Sequence, residues 1–286
     1  MKNLNRRRFI GTTAVGIAST ALLPLIPKNL FAAEKLNISF GFQSWTIRQK
    51  LFEDFAGTMK KMAAMGYSEI EMCSPKGYTG TGFEALADIK PGDMKKIIED
   101  SGLICRSSHY NFGELKDNLE ETIEWTKKMG ISQIVLSSFW LPSGATVSDY
   151  RKAATELNAA GETIKKAGLI TGFHNHHMEF ETIDGELIYD AILEELDPDL
   201  VKMQFQVAVI SIGYKAADYF RKHPGRFISA HLADWSNEKE TQVPIGQGVV
   251  DWEDFFEAAK TGGVKNFFVE MDPATFGESA KFLKSL

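Results

Sequence analysis

Between Ile170 and Phe180 the chain reads ITGFHNHHMEF, placing three of its six histidines, His174, His176 and His177, at the end of an apolar run that begins at Leu169. In a strand successive side chains alternate, so His174 and His176 share one face and Asn175 and His177 the other. Two imidazoles on one face of a strand end can ligate a divalent metal or hold a polar ligand. The competing reading is that one of them is a hydrogen-bonded core histidine. Other chemistry-bearing residues stand at the ends of apolar runs in the same way: Gln43 and Trp45, Glu71, His109, Ser138 and Trp140, Glu179, Gln206, His231 and Asp234, then Glu270 and Asp272. His223 falls on a helix surface instead.

The elements that must position these groups follow from periodicity. Apolar or β-branched runs recur at Leu36 to Trp45, Ser68 to Cys73, Ile104 to Tyr110, Gln133 to Phe139, Leu169 to His176, Val201 to Ala208, Phe227 to Asp234 and Asn266 to Asp272. Their composition and length predict eight strands. Helical periodicity fills the gaps at Phe52 to Met65, Pro91 to Asp100, Leu115 to Met129, Ser148 to Ala167 with Ser148 as N-cap, Glu186 to Leu196, Lys215 to His223, Asp251 to Lys260, and from Gly277 to the end. Glycines such as Gly66 and Gly130 follow the last periodic turn, where a left-handed residue stops a helix. Eight strand–helix units in about 250 residues predict an α/β fold, a single-domain (β/α)8 TIM barrel. An open doubly wound sheet would carry a glycine-rich phosphate turn after its first strand, and Phe42-Gln43-Ser44-Trp45 stands there instead. In a barrel the strand C-termini share one face, so the residues above become neighbours. Cys73 and Cys105 fall at opposite ends of adjacent strands, which predicts two free thiols.

Composition narrows the partners. A net charge of −6 and a pI near 5.6 argue against nucleic acid. Residues 1–33 read as a twin-arginine-type export signal: Arg6, Arg7 and Arg8 precede Phe9 and Ile10, a weakly apolar stretch runs from Gly11 to Ile26, and Ala32-Ala33 suggest an exit region. Residues 34–286 are then the folded domain. Loss of five positive charges with the leader takes the formal charge to −11. The expected location is exported and periplasmic, with no stable membrane insertion once the signal is removed. An oligomer remains open. Export in the folded state allows a metal to be loaded before the protein meets competing ions.

The segments GFHNHHMEF, PGRFISAHLADW, VPIGQGVVDWEDFF and FFVEMD together resemble the sugar phosphate isomerase/epimerase family, the xylose-isomerase-like TIM barrels. The resemblance covers residues 36–286 and is strongest from the fifth strand onward. It implies one divalent ion held by Glu, Asp, His and Glu at the ends of strands five to eight. Those positions fall on His174, Gln206, His231 and Glu270. Two depart from the pattern: His174 replaces a Glu and Gln206 an Asp. Such a site carries one negative charge instead of three, which favours Mn, Co, Ni or Zn over Mg. A metal-free site binding sugar hydroxyls is the alternative.

The resemblance also implies the chemistry. A chelated carbonyl is polarised, a carboxylate removes the adjacent C–H proton, and the resulting enediolate is reprotonated elsewhere. Glu270 is the expected base, with His176, Glu71 and His109 as partners in acid–base work. Glu71 has a second reading as a buried ion-pair partner, and Glu179 as the residue that orients a histidine. Trp45, Trp140, Trp235 and Asn175 are candidate contacts to a carbohydrate, since aromatic faces stack on sugar C–H surfaces. No Lys or Arg cluster marks a phosphate pocket. The expected activity is isomerisation or epimerisation of a free sugar, keto-sugar or glycoside derivative. A keto-sugar hydratase or lyase, and a non-catalytic sugar-binding barrel, are the alternatives.

Overall fold

The architecture comes from a computed structural model that describes residues 38–286. The export-signal reading falls outside that range. Eight parallel strands close into a barrel: β1 (Gly41–Gln43), β2 (Glu69–Cys73), β3 (Ile104–Tyr110), β4 (Gln133–Leu136), β5 (Ile170–His174), β6 (Val201–Gln206), β7 (Phe227–Leu232) and β8 (Asn266–Val269). Each pairs with its neighbours in chain order, and β1 closes on β8 through Gly41 beside Phe268. Gly41 is required there: a Cβ would lie 2.7 Å from the Glu69 carbonyl and 2.8 Å from the Phe268 ring.

The outer layer is formed by α1 (Phe55–Met65), α2 (Pro91–Asp100), α3 (Leu119–Met129), α4 (Val147–Lys166), α5 (Ile188–Glu195), α6 (Ala216–Lys222), α7 (Trp252–Gly262) and α8 (Phe276–Ser285). Their buried stripes, such as Met94 and Ile98 on α2 or Phe255 and Phe256 on α7, pack against the strand side chains that point out of the barrel. Several helix starts differ from the periodicity. The first begins at Phe55, because the Asp54 side chain accepts from Gly57 N and breaks the run from Phe52. The third splits: Asn111 and Glu114 cap a short helix Phe112–Lys116, and α3 starts afresh at Leu119. On α4 the N-cap is Thr146, not Ser148, since Thr146 and Asp149 form a capping box. The fifth begins at Ile188, because Glu186–Leu187 pairs with Thr182–Ile183 in a short hairpin. Gly66 and Gly130 adopt the expected left-handed stops.

Cys73 and Cys105 are both free. Cys73 lies opposite His109, so Cys105 is four residues, about 13 Å, down the next strand. No helix among the described residues is long and apolar enough to cross a membrane. Beyond β7, Asp234–Ser236 pairs with Thr241–Val243 in a two-stranded hairpin. The buried Asp234 carboxylate organises the return path, accepting from the backbone N–H groups of Trp235, Gly246, Gly248 and Val250 and from Trp252 Nε1.

Candidate active site

Inward-pointing residues at the strand C-termini meet on the barrel axis. Glu71 on β2 is fully buried and is the hub. Its Oε1 accepts from Ser107 Oγ (2.5 Å) and Gln204 Nε2 (2.8 Å). Its Oε2 accepts from Gln43 Nε2 (2.9 Å) and His231 Nε2 (2.5 Å), with His109 Nε2 at 3.2 Å. His231, equally buried, donates from its other nitrogen, Nδ1, to Glu270 Oε2 at 2.8 Å. One imidazole thus lies clamped between two carboxylates. Gln204 accepts at Oε1 from His109 Nε2 (2.6 Å) and also donates to Ser229 Oγ (2.8 Å).

The electrostatics follow from this geometry. Burial opposes the charge on Glu71, but the imidazoles of His109 and His231 hold its carboxyl well below the usual range. Burial also opposes a proton on His231, yet Glu270 and Glu71 lift it to about 9. Glu270 is lowered, against its burial, by His231. Burial and the neighbouring imidazoles of His231, His176 and His109 push His174 well below its ordinary value, so it is neutral at pH 7. Burial lowers His176 to about 4.

His174 ends β5, fully buried, and neither ring nitrogen has a partner. An unpartnered buried imidazole is costly unless something else takes its lone pair. Its ring lies 4.3 Å from that of His231 and 4.9 Å from that of His109, centre to centre. One nitrogen from each of these three histidines lies within 4.8 Å of the others. A buried imidazole cluster with spare lone pairs beside two carboxylates fits a divalent cation.

The remaining candidates divide. His176 is not on the strand with His174, because the chain leaves β5 after His174. Even so, its ring packs edge-on against His174 at 4.8 Å. Glu179 fixes this turn: it accepts from His176 N (2.6 Å) and Ser138 Oγ (2.8 Å), orienting the histidine through its backbone. Asn175 turns its Oδ1 to Gln206 N, tying β5 to β6, and leaves Nδ2 without a partner. Gln206 donates from Nε2 to Glu270 Oε2 at 2.6 Å and accepts at Oε1 from Ala208 N at 3.2 Å. Trp140 is 60% exposed, has φ 48°, and stands 5.2 Å from the His176 ring. Trp45 packs between Tyr78 and Phe83 beneath the Arg48 guanidinium, as part of the wall. Trp235 belongs to the hairpin held by Asp234. Asp272 caps the 3-10 turn Pro273–Thr275. Gln204, Ser107 and Ser229 join this network without standing among the strand-end candidates. The alternation in Met203-Gln204-Phe205-Gln206 was the available signal, because it points both glutamines inward.

Residues 59–286 match the family described as xylose isomerase-like TIM barrel. The chain belongs to that family. Among relatives of the xylose isomerase-like barrel, the inosose dehydratase of Geobacillus thermodenitrificans (strain NG80-2) is 26% identical over 222 residues, 63% of this chain and 74% of the relative. A sugar phosphate isomerase/epimerase of Parabacteroides distasonis ATCC 8503 superposes with a TM-score of 0.75 at 23% identity, covering 89% of this chain and 96% of the other. The IOLI protein, whose structure holds a zinc atom, shares the fold at TM-score 0.60 and 16% identity, over 86% of this chain and 95% of its own. The scaffold is thus one that carries sugar isomerases, epimerases and a dehydratase.

Proposed function

We propose that the chain is an exported, divalent-metal-dependent enzyme that moves a proton next to the carbonyl of an unphosphorylated sugar, keto-sugar or glycoside derivative. The observation that carries this reading is the buried meeting of His109, His174 and His231 with Glu71 and Glu270 at the strand C-termini. A bound divalent ion would supply Lewis-acid polarisation of the carbonyl. The chain's own groups do the rest. Glu270 has 14% of its side chain exposed against none for Glu71, and among the described residues nothing donates to its Oε1. It is the carboxylate that can reach a C–H proton, and Glu71 holds His231. His176, half-buried and neutral at pH 7, has a buried Nδ1 without a partner, which could accept from a substrate hydroxyl. Trp140 offers an exposed aromatic face beside it.

Isomerisation or epimerisation is the leading outcome. Loss of water is the second reading, favoured by the presence of one accessible carboxylate instead of one on each face, and by the dehydratase relative. The test is incubation of the metal-loaded protein with free sugars, keto-sugars and keto-glycosides in D₂O. Deuterium uptake beside the carbonyl without change in water content marks isomerisation or epimerisation, and a mass loss of one water marks dehydration. Either should vanish in Glu270→Gln. Absence of both across the panel would refute the reading. A signal-dependent shift of the protein to the periplasmic fraction checks the export clause.

A further inference from the structure

Resting on the reading that this chain binds a divalent ion, we infer that three imidazoles hold it, those of His109, His174 and His231, and that Gln206 stands outside its coordination sphere. The position of Gln206 is where the family resemblance implies an oxygen ligand, and the hydrogen bonds there decide the matter. Its Oε1 accepts from the backbone N–H of Ala208, and its Nε2 donates to Glu270 Oε2. Rotating the amide would set N–H against N–H at Ala208 and oxygen against oxygen at Glu270, so the network fixes the orientation. Gln206 therefore presents an N–H to the cavity, and an N–H cannot ligate a cation. It acts on the site through Glu270, as a positioning residue.

The lone pairs the cavity contains are on the imidazoles and on Glu270, whose Oε1 takes no hydrogen bond among the described residues and is assigned to the base. His174 has both nitrogens free in a fully buried ring. His109 commits only Nε2, to Gln204 and Glu71. His231 commits both, so it can ligate only by releasing one carboxylate. Glu270 is the one with an outlet to solvent, whereas Glu71 is enclosed and anchored by four other donors, from Ser107, Gln204, Gln43 and His109. Glu71 then keeps its hold on the imidazole, the carboxylate–histidine arrangement that orients a metal ligand. Glu270 is left free as a base. Nitrogens around one ion at ~2.1 Å lie ~3.4 Å apart, so the widest pair, now within 4.8 Å, closes by roughly an ångström. Three neutral nitrogen ligands select zinc, cobalt or nickel over manganese and magnesium, which prefer oxygen.

The test uses the full chain, stripped with chelator and titrated with Co²⁺ and Zn²⁺, with X-ray absorption counting the coordinated imidazoles in the wild-type protein. Three imidazoles are expected. His109→Gln and His174→Gln should weaken binding by about 100-fold or more, and Gln206→Ala should leave it within about threefold. Gln206→Asp, which restores an oxygen, should raise Mn²⁺ affinity relative to Zn²⁺. One bound imidazole, or metal lost in Gln206→Ala and kept in His109→Gln, overturns the three-imidazole centre while metal dependence survives. No Co²⁺, Zn²⁺ or Mn²⁺ bound to a folded wild-type protein overturns both. The imidazole count needs no variant, so a misfolded substitution does not blunt the test.

Discussion

Strand β2 carries two inward-pointing glutamates two residues apart, and the barrel treats them oppositely. Glu69, toward the N-terminal end, accepts from Asn266 Nδ2 at 3.2 Å and lies 3.6 Å from the half-exposed Arg106. Asn266 in turn accepts from Gln133, so that end is plugged by largely neutral amides. Burial raises the Glu69 carboxyl, with Arg106 only partly offsetting it. Glu71 meets imidazoles instead and is held down. One rise of about 6.6 Å along a strand separates a carboxyl that resists ionisation from one that is kept ionised. Same residue type, same strand and similar burial therefore do not determine charge. The residues arriving from β3, β6, β7 and β8 do. The result is a floor closed by amides, with one spare acceptor at Gln133 Oε1, and a ceiling with more unspent hydrogen-bonding capacity, at His174, His176 and Asn175.

The largest test of this contrast is Glu71→Ala. Removing the hub leaves His231 paired on one side only and strips the partners of Ser107, Gln43 and Gln204, so stability should fall by about 3–5 kcal/mol in urea or thermal melts. A loss under 1 kcal/mol would show that the network is not what holds this end together. Next is pH, measured by calorimetry on chelator-treated protein. His231 is raised to about 9 from 6.5. Its contribution is full below the unfolded value and is lost as pH climbs through about 9. Glu71 is lowered, so its contribution is present above the unfolded carboxylate value and is lost as pH falls through the folded one. The melting temperature should therefore peak between these limits and decline toward pH 9.5, and His231→Gln should flatten the alkaline side. A wild-type curve level from pH 6.5 to 9.5 would remove the clamped imidazolium. Smaller still is Glu69→Gln, which trades a reluctant carboxylate for an amide able to bond with Asn266. It should change stability by less than about 1 kcal/mol and leave metal binding untouched. Arg106→Ala should be weakest, within about 0.5 kcal/mol, because its side chain is half-exposed and its nearest approach to Glu69 is 3.6 Å.

Much of the barrel could be read from local pattern. All eight strand runs contain a barrel strand, and Pro91–Asp100 is a helix with the expected bounds. A fold assembled from repeating short units writes its period into the chain. The site is less legible because its decisive contacts join residues far apart in sequence. Gln204 reaches Glu71 across 133 positions and His109 across 95, and no window contains both ends. Glu71, His109, His174, His231 and Glu270 could be proposed because strand ends meet in a barrel. That one imidazole lies between two carboxylates, and that the Gln206 amide faces Glu270 nitrogen-first, depends on rotamers set by neighbours such as Ala208 N. The placing of His176 on the strand failed for a local reason: Glu179 and Ser138 together draw the chain into a turn right after His174.

The clasp made by Asp234 has a consequence for exchange of backbone protons with solvent. Four amides, on Trp235, Gly246, Gly248 and Val250, give their hydrogens to one carboxylate instead of to a ladder of separate carbonyls. Elsewhere in a loop each amide is released by its own small fluctuation. Here none is released independently of the shared acceptor. In deuterated water these four positions should take up label as a group, at one rate, like a miniature cooperative unit inside a segment with little regular structure.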